Sequence, residues 1–300
     1  MNPFVASILP LFFSFAVGVA ARQLKLLSAK DATVLLRFVP NVCLPPLMIL
    51  AIYRVELAGD MVLIPFCAML VVFAIYFISS AAGKALRMSG PTFGSFLVGT
   101  LIMNTAFALP FFQSAFGDEG LARASLFDIG NTFLIFTFSY YNAIKYGDNS
   151  HTEKIQWNKF LKLPPLWAML VAFGIKLGGM RIPPLGIEIL EMLGQPSGTI
   201  IMVAMGLTFH PRLSHLGKAC LGVFIRMGCG LGIGLLLAWV FGLQGISRNV
   251  VVTCSAMPVG FNTLIFAELE NMDLEFASTM VSISIVLAMI TTPLLIQLFS

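Results

Sequence analysis

Cys254-Ser255-Ala256-Met257-Pro258-Val259-Gly260-Phe261-Asn262 is out of place in an ordinary membrane-spanning helix, yet it sits inside a long apolar segment. Pro258 has no N–H for the helical ladder, and its ring clashes with the carbonyl four residues earlier, so the helix must break or kink there. The freed backbone groups would then face hydrocarbon, which is tolerated only where protein or a water-lined cavity satisfies them. Asn104-Thr105-Ala106-Phe107-Ala108-Leu109-Pro110 repeats the situation earlier in the chain. Two interrupted helices of this kind are expected to meet near mid-membrane and form a solute site.

The rest of the composition fits such a setting. Of 300 residues, 58% are hydrophobic and 11% charged, and the mean hydropathy is +0.92. A soluble domain has about 25% charged residues, so the chain reads as integral to a membrane. No Lys/Arg run interleaved with aromatics points to nucleic acid. The five cysteines all lie in apolar stretches without a close pair, which excludes a disulfide framework or zinc site and leaves buried thiols. His151, His210 and His215 are too scattered for a metal site, and no nucleophile–base grouping or His-Glu-x-x-His occurs, so neither an enzyme nor a cofactor is expected. The run from Pro3 to Ala21 is long enough to span and is read as a retained first helix.

Ten stretches are apolar enough to span: 3–21, 33–53, 61–82, 92–116, 121–146, 163–180, 184–208, 216–241, 249–269 and 276–299. Loops following odd-numbered spans carry 11 Lys or Arg and those following even-numbered spans 5, which predicts cytoplasmic odd loops, including 147–162, and both termini outside. The halves also echo one another: Pro10 and Pro164 are 154 apart, Pro45 and Pro196 are 151 apart, and Pro110 and Pro258 are 148 apart. A duplicated unit with an odd number of spans gives an inverted repeat. The predicted fold is an all-α integral membrane protein of ten transmembrane helices, arranged as two inverted five-helix repeats with crossed, proline-broken helices four and nine.

Several runs together resemble the auxin efflux carrier family. They are Gly18 to Leu27, Phe38-Val39-Pro40-Asn41-Val42-Cys43-Leu44-Pro45, Asn104 to Pro110 followed by Phe116 to Leu121, Ala256 to Asn262, Phe266-Ala267-Glu268, Asp273-Leu274, and Thr291-Thr292-Pro293-Leu294-Leu295. That family includes plant auxin exporters and bacterial permeases assigned to malate or malonate, and it is a distant relative of sodium-coupled bile-acid symporters. The resemblance implies scaffold helices one and two (1–60) and six and seven (163–214). Mobile transport-domain helices would occupy 61–146 and 215–300, with 147–162 as the loop between repeats. It also implies homodimers through the scaffold and helices four and nine crossing at their prolines beside the substrate. Two departures stand out. Pro110 follows Asn104 more closely than in the family pattern, with Ala108 in place of a glycine, and Met227-Gly228-Cys229-Gly230 replaces a proline after Arg226.

The site residues follow from the broken helices. Half-helix N-termini carry about half a positive charge and suit a carboxylate, and Asn104 and Asn262 offer both donors and acceptors beside Pro110 and Pro258. Asn41 and Pro45 are candidates for an opposite wall, with structural kinking as the other reading. An ionisable group inside a span needs its own account. Asp128, with Asn131 and Thr132, is a candidate for a coupling proton or sodium ion, the alternative being an interfacial group or ion pair. Arg226 could pair with Asp128, attract an anion or serve structure, and Glu268 is placed at the interface. The predicted function is secondary transport of a small organic anion, a carboxylate, by alternating access; a sodium-coupled carrier of larger amphipathic acids and a non-transporting membrane sensor or binding scaffold are the alternatives. Substrate anion, lipid and a second copy are the expected partners, in a cell membrane.

Overall fold

The computed structural model describes residues 3–54, 59–147, 164–209 and 216–300. Of the expected loop 147–162 only Gly147 is included; the remainder, with Arg212 and all three histidines, lies outside the described residues. Among the described residues every regular element is helical, apart from one antiparallel bridge between Met103 and Val259. Among the described residues four continuous helical stretches, Lys30–Arg54, Gly59–Ala85, Leu216–Val240 and Leu274–Leu298, are long and apolar enough to cross a membrane.

In chain order the elements begin with α1 (Pro3–Gln23) and α2 (Ala29–Phe38), which passes through a π-helical turn at Val39–Cys43 into α3 (Leu44–Arg54). A 3-10 turn leads to α4 (Leu63–Ala85), then α5 (Gly90–Leu101), α6 (Thr105–Leu134), a second π-helical turn at Ile135–Ser139 and α7 (Tyr140–Tyr146). The later elements are α8 (Pro164–Leu177), α9 (Pro184–Gly194), α10 (Ser197–Thr208) and α11 (Leu216–Val223). A third π-helical turn, Phe224–Cys229, joins α11 to α12 (Gly230–Val240), and α13 (Gly245–Ser255), α14 (Asn262–Leu269) and α15 (Leu274–Leu298) follow.

Two differences from the sequence reading have local causes. The stretch 92–116 is interrupted at 102–104, ahead of Pro110, which lies inside α6. Asn104 accounts for this: its side-chain oxygen accepts from Phe107 N–H at 3.3 Å, capping a helix that restarts before the proline arrives. Within α6 the one residue with non-helical dihedrals is Gly117, at φ 59° and ψ −143°, a conformation that L side chains rarely adopt. The stretch 184–208 is likewise divided, between α9 and α10, next to Pro196.

The chain forms two compact units. The first holds residues 1–59, 109–125 and 161–209; the second holds 60–108, 126–160 and 210–300. Within the first, α1 packs on α10 so closely that a Cβ on Gly18 would stand 2.1 Å from Val203 O, and one on Gly206 2.2 Å from Phe15 O. Small residues allow such contact where lipid offers no hydrophobic driving force. Arg22 at the end of α1 donates to Leu207 O at 2.8 Å, and Lys176 of α8 donates to Tyr53 O at 2.7 Å, so basic side chains close the C-termini of α10 and α3. Arg54 pairs with Asp118 at 3.3 Å and with Glu191.

The second unit has its core around Val98, Ile102, Tyr140, Phe266, Met272 and Ala277. Here too glycine sets the closest approach: a Cβ on Gly130 would lie 2.2 Å from Pro65 O. Burying α5 beneath α4, α7 and α15 leaves both its faces without lipid contact, and residues 93–101 are buried throughout. The end of α5 is therefore placed by protein on all sides, which is the condition for breaking a helix inside a membrane.

Gly206→Ala is expected to lower stability by about 1–3 kcal/mol, because a methyl group there has backbone to displace rather than a flexible side chain. Gly232→Ala, where nothing lies within 4 Å, should leave the melting temperature unchanged or raise it. Fluorescence-monitored thermal unfolding of both variants in detergent checks the pair.

Candidate functional site

The site is built from the two gaps in helical continuity, all within the second unit. The first gap runs from Ile102 to Asn104, between α5 and α6, and the second from Ala256 to Phe261, between α13 and α14. Ile102 takes an extended conformation, at φ −87° and ψ 113°, where the ladder of α5 ends. In the second gap Pro258 cannot donate, and the helix resumes at Asn262.

The two gaps satisfy one another. Asn104 N–H donates to Pro258 O at 2.9 Å, and Gly260 N–H donates to Ile102 O at 2.8 Å, either side of the Met103–Val259 bridge. Gly260 permits the approach, since a Cβ there would meet Ile102 Cγ2 at 2.3 Å. A third bond comes from outside the gaps: Val259 N–H donates to Ser284 Oγ of α15 at 3.1 Å. These bonds answer the requirement that main-chain polar groups in hydrocarbon be paired.

A polar cluster closes on the first gap from α6. Asn131 Nδ2 donates to Met103 O at 2.9 Å and to Thr105 Oγ1 at 3.2 Å. The Thr105 hydroxyl in turn donates to Asp128 Oδ1, and Thr132 Oγ1 reaches the same oxygen at 3.4 Å. Asn131 is 1% exposed and its Oδ1 is a buried acceptor with no hydrogen-bond donor. Asp128 is half-buried, and no basic side chain among the described residues stands within ion-pair distance of it. The arrangement can hold a proton or a small cation on oxygen ligands.

The remaining sequence candidates separate cleanly. Pro258 lies in the second gap and its carbonyl is used. Asn262 is the first residue of α14, half-buried, and its side-chain amide makes no hydrogen bond among the described residues. Pro110, Asn41 and Pro45 belong to the first unit. Pro110 is buried there against Gly198, Asn41 is exposed and donates to Arg37 O at 2.5 Å, and Pro45 sits half-buried in α3. The main-chain pairing involves Pro258 but not Pro110, because the first gap closes at Asn104. Arg226 makes no ion pair with Asp128; it donates to Thr100 O at 2.8 Å and Ser255 O at 2.6 Å. Glu268 is exposed in the last turn of α14, whereas its neighbour Glu270 is buried and accepts from Tyr140 Oη at 3.0 Å.

Thr105 and Ser284 were absent from the sequence candidates. Thr105 follows Asn104 directly and could have been found as the first residue of a capped helix. Ser284 carries no such signal, since a serine in an apolar helix most often bonds its own backbone, as it also does here to Val281 O at 3.0 Å.

The chain matches the model of a family described as membrane transport protein over residues 3–296. It is similar to an uncharacterized transporter of Methanothermobacter thermautotrophicus, 29% identical over 287 residues, which covers 93% of this chain and 92% of that one. A second uncharacterized transporter, from Methanocaldococcus jannaschii, is 25% identical over 284 residues, covering 89% of this chain and 90% of the relative.

Ser284→Ala removes the partner of the buried Val259 N–H and is expected to destabilise the protein by about 1–3 kcal/mol. Fluorescence-monitored thermal unfolding in detergent, against wild type, checks the shift.

Proposed function

The chain belongs to the membrane transport protein family, the auxin efflux carrier family that its motifs resemble, and from that premise we propose that it is a secondary transporter of a small organic anion, most simply a carboxylate. The observation that carries this reading is the mutual pairing of the two gaps. It leaves two helix N-termini, at Thr105 and Asn262, beginning at one place in the second unit. Each offers about half a positive charge, while the N–H groups of Phe107, Thr263 and Leu264 close the first turns onto Asn104, Gly260 and Phe261. Asn262, half-exposed with an unengaged amide, supplies a donor and an acceptor beside them.

Transport follows if the loaded crossover is opened to each side in turn, by an elevator or rocking exchange within ten spans arranged as two inverted repeats. The scaffold and transport-domain assignment, the homodimer, the cytoplasmic odd loops and the outward termini belong to the same proposal. Asn104 shapes the first gap through its cap on Phe107.

Coupling to a cation is a second element of the reading, favoured by the polar cluster on α6. A carboxylate in a membrane interior without a basic partner is costly unless it binds a proton or a cation. Asp128, Asn131 and Thr132, joined by Thr105, would take that role. If the ion is sodium, the protein stands nearer to carriers of larger amphipathic acids.

In proteoliposomes screened with labelled malonate, malate and larger organic acids, Asn104→Ala and Asn262→Ala should each lower uptake by tenfold or more at equal membrane expression, about what losing a buried polar contact to a charged ligand removes. Unchanged kinetics in both variants would sink the crossover as the anion site. Asp128→Asn should abolish whichever dependence the wild type shows when sodium is replaced by potassium or when pH is varied. A variant that keeps that dependence places coupling elsewhere.

A further inference from the structure

Arg226 is 0% exposed, in the π-helical turn Phe224–Cys229. No carboxylate among the described residues is within ion-pair distance of it, and its Nε is a buried donor without an acceptor. A buried cation left in this way must find its negative potential elsewhere.

The source is the pair of helix ends that the crossover creates. In an uninterrupted helix, Thr100 O would accept from the N–H of Asn104, and Ser255 O from that of Val259. Both donors have been diverted: Asn104 N–H goes to Pro258 O and Val259 N–H goes to Ser284 Oγ. Arg226 supplies the replacement for each, Nη1 to Thr100 O at 2.8 Å and Nη2 to Ser255 O at 2.6 Å. Thr100 lies in the last turn of α5, and Ser255 is the last residue of α13. Each end carries about half a negative charge, so one guanidinium balances the two. The surrounding glycines fit this arrangement. A Cβ on Gly230 would lie 2.1 Å from Ser255 O and 2.7 Å from Arg226 Nη2, so the space between α12 and α13 is shaped around the guanidinium.

We propose that Arg226 is the positioning residue of the crossover. It braces the C-terminal ends of α5 and α13 against each other and cancels their negative potential, so that the positive ends at Thr105 and Asn262 set the field a bound anion meets. The electrostatic half of this inference rests on the anion reading of the crossover; the bracing stands without it. A planar fork is required, because one ammonium cannot reach two carbonyls in the same geometry.

The test compares Arg226→Gln and Arg226→Lys with wild type by hydrogen–deuterium exchange in detergent, followed over 100–104 and 255–260, and by titration with malonate and the other acids of the transport screen. Arg226→Gln is expected to speed exchange in both segments and to weaken anion binding about tenfold or more, the loss typical of charge-assisted hydrogen bonds. Arg226→Lys should exchange at an intermediate rate but recover most of the affinity, a rescue that a purely steric role would not give. Wild-type exchange rates in Arg226→Gln overturn the bracing, and equal loss of affinity in the Lys and Gln variants overturns the electrostatic role. If wild type binds none of the acids while Arg226→Gln still exchanges faster, the anion reading and the electrostatic half fall together and the bracing survives. Should Arg226→Gln not fold, wild-type exchange in Arg226→Lys is the overturning result.

Discussion

Two main-chain hydrogen bonds, from Asn104 to Pro258 and from Gly260 to Ile102, make a broken helix affordable in the interior of this protein. A single gap would strand several polar groups in a medium without water, each at a cost of several kcal/mol. Two gaps placed side by side answer part of each other's need, as neighbouring strands do in a sheet. Everything near the crossover is subordinate to that exchange. Gly260 has no side chain because Ile102 occupies the space, Asn104 starts the next helix at once, and Ser284 takes the N–H that the bridge leaves over.

A second regularity is the use of cationic side chains at helix C-termini. Arg22 closes α10, Lys176 closes α3, and Arg226 closes α5 and α13 together. In water these carbonyls would be solvated, and the contribution of the cation would be small. Inside a membrane protein the same contact satisfies an acceptor and stabilises a charge at once. Lys176 illustrates the change of meaning: its place near the end of an apolar stretch suggests a side chain reaching for the interface, yet it is held on the Tyr53 carbonyl.

The sequence was most informative where one residue type leaves few conformations open. Pro258 inside an apolar run announces a break, and the structure has one there, with helix on both sides. Pro110 announces one equally and misleads by several residues, because a cap at Asn104 ends the gap before the ring is reached. Asp128, Asn131 and Thr132 could be singled out as polar groups within a span, but not their partners. Met103 and Thr105 come close to them only because α6 and its continuation place the cluster over the first gap. The sequence leaves Arg226 three possible roles, and in the structure it holds backbone carbonyls, a partner that sequence patterns of charge do not reveal.

What the chain alone determined is its apolar, helical character, its family and the presence of two interruptions, one at Pro258 and one ahead of Pro110 that the structure moves to 102–104. These follow from composition and from backbone constraints that act within a few residues. The sequence leads one to expect that the interruptions meet; only the tertiary structure decided which atoms satisfy them, and that the buried guanidinium bridges two helix ends rather than meeting a carboxylate. Those outcomes depend on hydrogen bonds between residues as far apart as Thr100 and Arg226, and no local preference specifies such a partner.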